Sequence, residues 1–200
     1  VPSGEDPQPF VDAIAHGDGQ ASPVDAAQDL PEEATGLLVA GVGAFGENES
    51  APAALKQAIK KGIPVLGIGW GMHALNVALG GQAPVKVEGH GSPPQNGTTQ
   101  DGITDGETTK HPLFMAPGGK VGYTIAGSGW VTVPSVHTHG LLPAQVADGL
   151  LSSVYAEDRV VEAIEMPGRE WLIGVQWPAH LPDSTPKGFD SLLLALVERS

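Results

Sequence analysis

The chain has 200 residues, 40% of them hydrophobic and none of them cysteine, which allows one compact domain and excludes disulfides, thiolate catalysis and sulfur-ligated metal. Ten Lys and Arg against 23 Asp and Glu give a formal charge of -13, which repels phosphate backbones and anionic membrane surfaces, so neither nucleic acid nor a membrane is an expected partner. Apolar runs such as SLLLALV are too short to cross a bilayer, and the expectation is a soluble, cytoplasmic protein.

Residues 1–34 are rich in Pro, Gly, Asp and Gln and specify little beyond one short amphipathic stretch, PFVDAIAH. Residues 35–200 read as a single domain. GLLVAG is an apolar run of buried-strand type, and SAPAALKQAIKKG is a helix with Ser50 as N-cap, lysines in its last turn and Gly62 as its stop. PVLGI is a second buried strand, followed by the helix MHALNVAL. Strand, helix, strand, helix in this order predicts a βαβ unit in a mainly parallel sheet with helices on both faces. Residues 88–110 hold almost nothing that could fill a core and read as a long loop: a lid, a partner contact or disorder. Strands are predicted at KVGYTIA, WVTVPSVHTH and SSVYAE, then in the hairpin RVVEAIEMPGREWLIGVQW, where Pro167-Gly168 suits the centre of a type II turn. The closing stretch TPKGFDSLLLALVERS sets Phe189, Leu192, Leu193, Leu196 and Val197 on one helical face behind a Thr185-Pro186 start.

Within GIPVLGIGWGMHALNVALGG, residues 62–81, a buried strand runs through a glycine turn into a helix. That construction normally presents a nucleophile and needs small flanking residues, here Gly67 and Gly71. The apex residue is Gly69, which has no side chain. A phosphate-binding turn is the alternative reading, although neither GxGxxG nor a P-loop lysine is present.

PVLGIGWGMHALNVALGG resembles the class I glutamine amidotransferase motif, in particular the gamma-glutamyl-GABA hydrolase and gamma-glutamyl hydrolase branch. GLLVAGVGAF is similar to that family's strand and oxyanion loop, KHPLFMAPGG to its H-P-V-x-L-x-P-G-S segment and VPSVHTHG to its V-N-S-x-H-H-Q-A. AEDRVVEAIEMPGREWLIGVQWPAH is similar to the strand pair ending in V-Q-W-H-P-E. The resemblance implies a flavodoxin-like three-layer α/β sandwich whose first strand is absent or degenerate, leaving an exposed sheet edge suited to association. It also implies a cysteine nucleophile, a histidine base and a glutamate that orients it; the matching positions are Gly69, Pro178 and His180. The family's Gly-Gly-x-Asp oxyanion loop reads Gly41-Val42-Gly43-Ala44.

These departures imply a catalytically inactive relative that serves as a structural or regulatory subunit of a larger assembly, its partner a synthase-type enzyme or a second copy. The alternatives are a small-molecule or metal-binding protein using the former pocket, and a gamma-glutamyl hydrolase with a rebuilt mechanism, for which Ser135 and His137 are the available pair. His137 and His139, two apart on a predicted strand, should share a face. With Gly41, Trp70, His73 and Ser135 they would line the pocket, Trp70 filling the volume of a former substrate. No cofactor is expected. A metal ion held by His73, His137, His139 and His180 is the weaker alternative to structural hydrogen bonds, since no orienting carboxylate is evident nearby.

Overall fold

A computed structural model describes residues 1–91, 110–168 and 170–200. The predicted long loop of residues 88–110 therefore lies mostly outside the described residues. The chain opens with helix α1 (Gln8–His16), strand β1 (Leu37–Gly41), helix α2 (Ala53–Lys61), strand β2 (Val65–Gly69) and helix α3 (Trp70–Ala78). Then follow β3 (Val85–Lys86), β4 (Lys110–Met115), α4 (Lys120–Thr124), β5 (Gly129–Pro134), β6 (His139–Gly140), β7 (Leu151–Ala156), β8 (Val161–Glu165), β9 (Leu172–Val175) and α5 (Ser191–Arg199).

Seven strands form one mixed sheet in the order β1-β2-β9-β8-β7-β4-β5, and β3 pairs with β6 in a separate ribbon. The β1-β2 and β2-β9 pairings are parallel and the other four pairings of the large sheet are antiparallel. The sheet is thus parallel only at its first end, less than the βαβ pattern leads one to expect. No strand precedes β1 among the described residues, and β1 stands at the sheet edge. The core lies on both faces of the sheet: α1 and α5 contribute Phe10, Ile14, Leu192 and Leu196 to one cluster, while α2 and α3 contribute Leu55, Trp70 and Leu75 to another.

Local chemistry accounts for the boundaries. Gly62 ends α2 in the left-handed conformation, φ 72°, as its sequence predicts. The helix begins behind Pro52 rather than at Ser50. Gly168 has φ 86°, in keeping with the third position of a type II turn between β8 and β9. The last helix starts at Ser191, after a turn in which Phe189 N–H donates to Pro186 O, later than the predicted Thr185-Pro186 start.

Two predicted strands are different objects. KVGYTIA forms α4, because the Glu165 carboxylate accepts the backbone N–H of Lys120 at 2.8 Å and of Val121 at 3.0 Å, occupying the free donors of a helix start. WVTVPSVHTH is not one strand: β5 stops at Pro134, which has no N–H for the ladder, and the chain resumes pairing only at His139 in the other sheet. His137 and His139 therefore do not share a strand face.

Candidate functional site

The parallel end of the sheet builds a strained turn. Gly41 and Gly69 are register partners where β1 and β2 end. Gly69 has φ 56° and ψ -113°, a backbone conformation costly for any residue with a Cβ. A Cβ there would sit 2.6 Å from Gly41 O. One at Gly67 would sit 2.6 Å from Gly71 O, and one at Gly71 would overlap Val39 O outright. The turn predicted from the glycine spacing is present, and its apex is bare.

The groups around this apex are occupied. Val42 N–H donates to Glu5 Oε1 at 2.9 Å, so the loop after β1 already carries an anionic acceptor from the start of the chain. Trp70 is buried, packs on Phe45 at 5.6 Å between centroids and donates Nε1–H to Glu49 Oε1 at 3.1 Å. It belongs to the cluster under α2, where its ring fills volume. Pro178 and His180 follow β9; the His180 ring packs against Phe10 of α1, tilted by 46° with centroids 4.3 Å apart, and burial depresses its pKa to about 4. Both its ring nitrogens lack a hydrogen bond.

His180 is thus separated from the other histidines named in the sequence. His73, on α3, is fully buried, and desolvation, followed by the nearby His137, lowers its pKa to about 3. His139 faces Thr138 Oγ1 at 3.1 Å through Nδ1. Ser135 donates its hydroxyl to the His90 carbonyl and makes no pair with His137.

A different constellation forms where four segments meet. One ligand atom from each of His90, His111, His137 and Glu162 lies within 4.8 Å of the others. Glu162, on β8, is the centre: its carboxylate stands 3.3 Å from His137 Nε2, 3.4 Å from His90 Nδ1 and 3.7 Å from His111 Nε2. The side chains of His90, His111, His137 and Glu162 are only 4%, 11%, 9% and 1% exposed. The far nitrogens of two rings are held by oxygen: His90 Nε2 by Asp158 Oδ2 at 2.8 Å, His137 Nδ1 by the His139 carbonyl at 3.0 Å.

The charges follow the geometry. Burial would raise the Glu162 pKa, but the close His137 and His90 rings, and the charge of His137 and His111, hold it down at about 2. His90 is lowered by burial and raised more strongly by Glu162 and Asp158, ending above its ordinary value. His111 is pushed down by burial, with Glu162 only partly offsetting it.

Of the four histidines that the sequence offers as ligands, only His137 belongs to this cluster. The expected lack of an orienting carboxylate is corrected by Glu162, which lies on β8 within the motif VVEAIE. Its alternation inside a hydrophobic strand is the available signal, since a glutamate in an otherwise apolar run must find partners when buried. His111 escapes a sequence reading because KHPLFM has no distinct periodicity, and His90 because it opens the segment that reads as loop.

The sequence matches the peptidase C26 family over residues 47–180. It is 35% identical over 125 residues to "Putative glutamine amidotransferase Rv2859c" of Mycobacterium tuberculosis, covering 62% of this chain and 38% of that protein. It is 35% identical over 133 residues to "Putative glutamine amidotransferase PB2B2.05" of Schizosaccharomyces pombe, covering 64% of this chain and 48% of that protein. The chain thus matches less than half the length of these two curated relatives. Its fold is similar to the crystal structure of a "putative gmp synthase subunit a protein" from Thermoplasma acidophilum, with a TM-score of 0.69 at 16% identity, covering 98% of this chain and 89% of that one.

Proposed function

The chain belongs to the peptidase C26 family of class I glutamine amidotransferase-like proteins, and from that premise we propose that it is a non-catalytic member acting as a structural or regulatory subunit of a larger assembly. The observation that carries this reading is the bare apex at Gly69. Acyl transfer from a gamma-glutamyl compound needs a nucleophile at the turn, a base beside it and an open donor for the oxyanion. Gly69 offers no nucleophile, and Pro178 at the base position has no titratable group. His180, at the position of the orienting carboxylate, is packed against Phe10. Val42 N–H, in the loop that resembles the family's oxyanion loop, is taken by Glu5.

The subunit role is supported by β1, which is an edge strand among the described residues; a strand edge can template pairing with another chain, either a synthase-type partner or a second copy.

The test is release of glutamate or ammonia from gamma-glutamyl-GABA and from glutamine. The expected result is no release above a heat-killed control, for the wild-type chain and for Gly69→Cys, whose thiol would lack a base. Turnover by the wild-type chain would overturn the non-catalytic reading. A native pull-down that recovers neither a stoichiometric partner nor a dimer would overturn the subunit role.

A further inference from the structure

We infer that His90, His111, His137 and Glu162 form a closed, four-ligand site for a divalent first-row transition metal of the zinc type. The site would tie together the segment after β3, strand β4, the link between β5 and β6, and strand β8.

Three independent features of the geometry point there. In a tetrahedral zinc site with bonds of about 2.0–2.1 Å, neighbouring ligand atoms stand about 3.3 Å apart. Glu162 Oε1 stands 3.3 Å from His137 Nε2 and 3.4 Å from His90 Nδ1, Oε2 stands 3.7 Å from His111 Nε2, and one ligand atom from each of the four residues lies within 4.8 Å of the others, so the rings have only to close in on the ion. The second feature is the set of inward-facing atoms: His90 Nδ1, His111 Nε2, His137 Nε2 and both Glu162 oxygens are buried and make no hydrogen bond of good geometry. Five such atoms around one point are not a normal resting state for a protein interior.

The third feature is the orientation of the rings. A metal-bound imidazole typically donates its other N–H to a carboxylate or a backbone carbonyl, which fixes its tautomer and aims the free nitrogen. Asp158 accepts from His90 in this way, and the His139 carbonyl accepts from His137. Three imidazoles and one carboxylate form a borderline donor set suited to Zn²⁺ and Co²⁺ rather than Mg²⁺ or Ca²⁺. Around a divalent ion, Glu162 leaves one positive charge, which the adjacent Asp158 neutralises. Four protein ligands in a buried position leave no open site, so the ion's role is structural. None of the four residues belongs to the Gly69 turn, and the site holds whether or not that turn is catalytic.

The experiment is titration of the untagged, chelator-stripped chain with Co²⁺, followed by displacement with Zn²⁺. The expected result is one equivalent of Co²⁺ bound with the visible absorption of a four-coordinate N₃O site, bleached by Zn²⁺. Zinc in hundredfold excess over Kd should raise Tm by roughly 5–10 °C. Glu162→Gln keeps the side chain's size and removes the anionic ligand, so it should lose the cobalt band, as should His111→Ala. Asp158→Asn should weaken binding about 10- to 100-fold without abolishing it. His180→Ala should bind as the wild type does. The wild-type titration alone decides the matter if a variant fails to fold: no stoichiometric cobalt band would overturn the proposal, and so would an unchanged band in folded Glu162→Gln.

Discussion

Three glycines of the parallel end differ in what they meet, and that difference sets a graded expectation. Gly62 has φ 72° but open space around its missing Cβ, so Gly62→Ala should cost only the left-handed strain, about 1 kcal/mol. At Gly69 an unfavourable backbone conformation is combined with a Cβ 2.6 Å from Gly41 O. Because that obstacle is backbone, two strands must separate to relieve it, and Gly69→Ala should cost about 2–4 kcal/mol. Gly71→Ala would drive its Cβ into Val39 O and should cost more than about 4 kcal/mol or prevent folding. Urea unfolding of the three variants gives the ranking; a Gly69→Ala variant as stable as Gly62→Ala would remove the strained turn. The turn is legible in the sequence because its flanking positions, Gly67 and Gly71, approach neighbouring backbone too closely for a residue with a Cβ. Gly67, Gly69 and Gly71, alternating where a buried strand ends, mark such an approach directly.

At the scale of elements, legibility depends on how local the determinant is. β1, α2, β2 and α3 carry their own periodicity and stops, and all four appear close to where the pattern sets them. α4 does not, because the group that makes it a helix is Glu165, 45 residues away in sequence. The stretch KVGYTIA has the β-branched and aromatic residues of a strand, and only tertiary capping overrides that tendency. This yields a direct test. Glu165→Ala removes an acceptor shared by Lys120 N–H and Val121 N–H; a cap of this kind is worth about 1–2 kcal/mol. Amide hydrogen exchange should show Tyr123 and Ile125, whose N–H groups donate to Gly119 O and Val121 O, losing protection before the strands do. Equal protection in the variant would mean that α4 is held by packing alone. The histidine cluster is illegible for the same reason: its four members come from segments that meet only in the folded sheet, whereas the four histidines that stand out in the sequence are neighbours of motif positions.

Over the whole molecule, buried neutral histidines and a large negative charge act on stability in opposite senses as pH falls, and they can be separated. His73 and His180 have folded pKa values of about 3 and about 4 against an ordinary 6.5. Below that ordinary value the unfolded chain takes up protons that the folded chain refuses, so stability should be greatest above about pH 6.5 and fall on acidification, by up to about 1.4 kcal/mol per pH unit for each histidine. Glu162, held at about 2 against an ordinary 4.5, adds a further loss only below the ordinary carboxylate range. His90, raised above its ordinary value, works the other way: its contribution is present below the ordinary histidine range and is lost as pH rises through its folded pKa. The formal charge of -13 shrinks as pH approaches the sequence pI of about 4.7, which relieves self-repulsion and opposes the histidine effect. Salt screens that long-range repulsion but leaves the desolvation of a buried ring untouched. His180 isolates the histidine effect, because burial alone depresses it and its ring touches Phe10 rather than a charged partner. His180→Leu fills a similar volume against Phe10 and cannot titrate. Urea midpoints measured at high salt should therefore decline between neutral pH and about 4.5 in the wild-type chain and decline less in His180→Leu, the two curves diverging by roughly 2–3 kcal/mol at the acid end. Parallel curves would mean that His180 takes up its proton in the folded state and that the ring is not held neutral by burial.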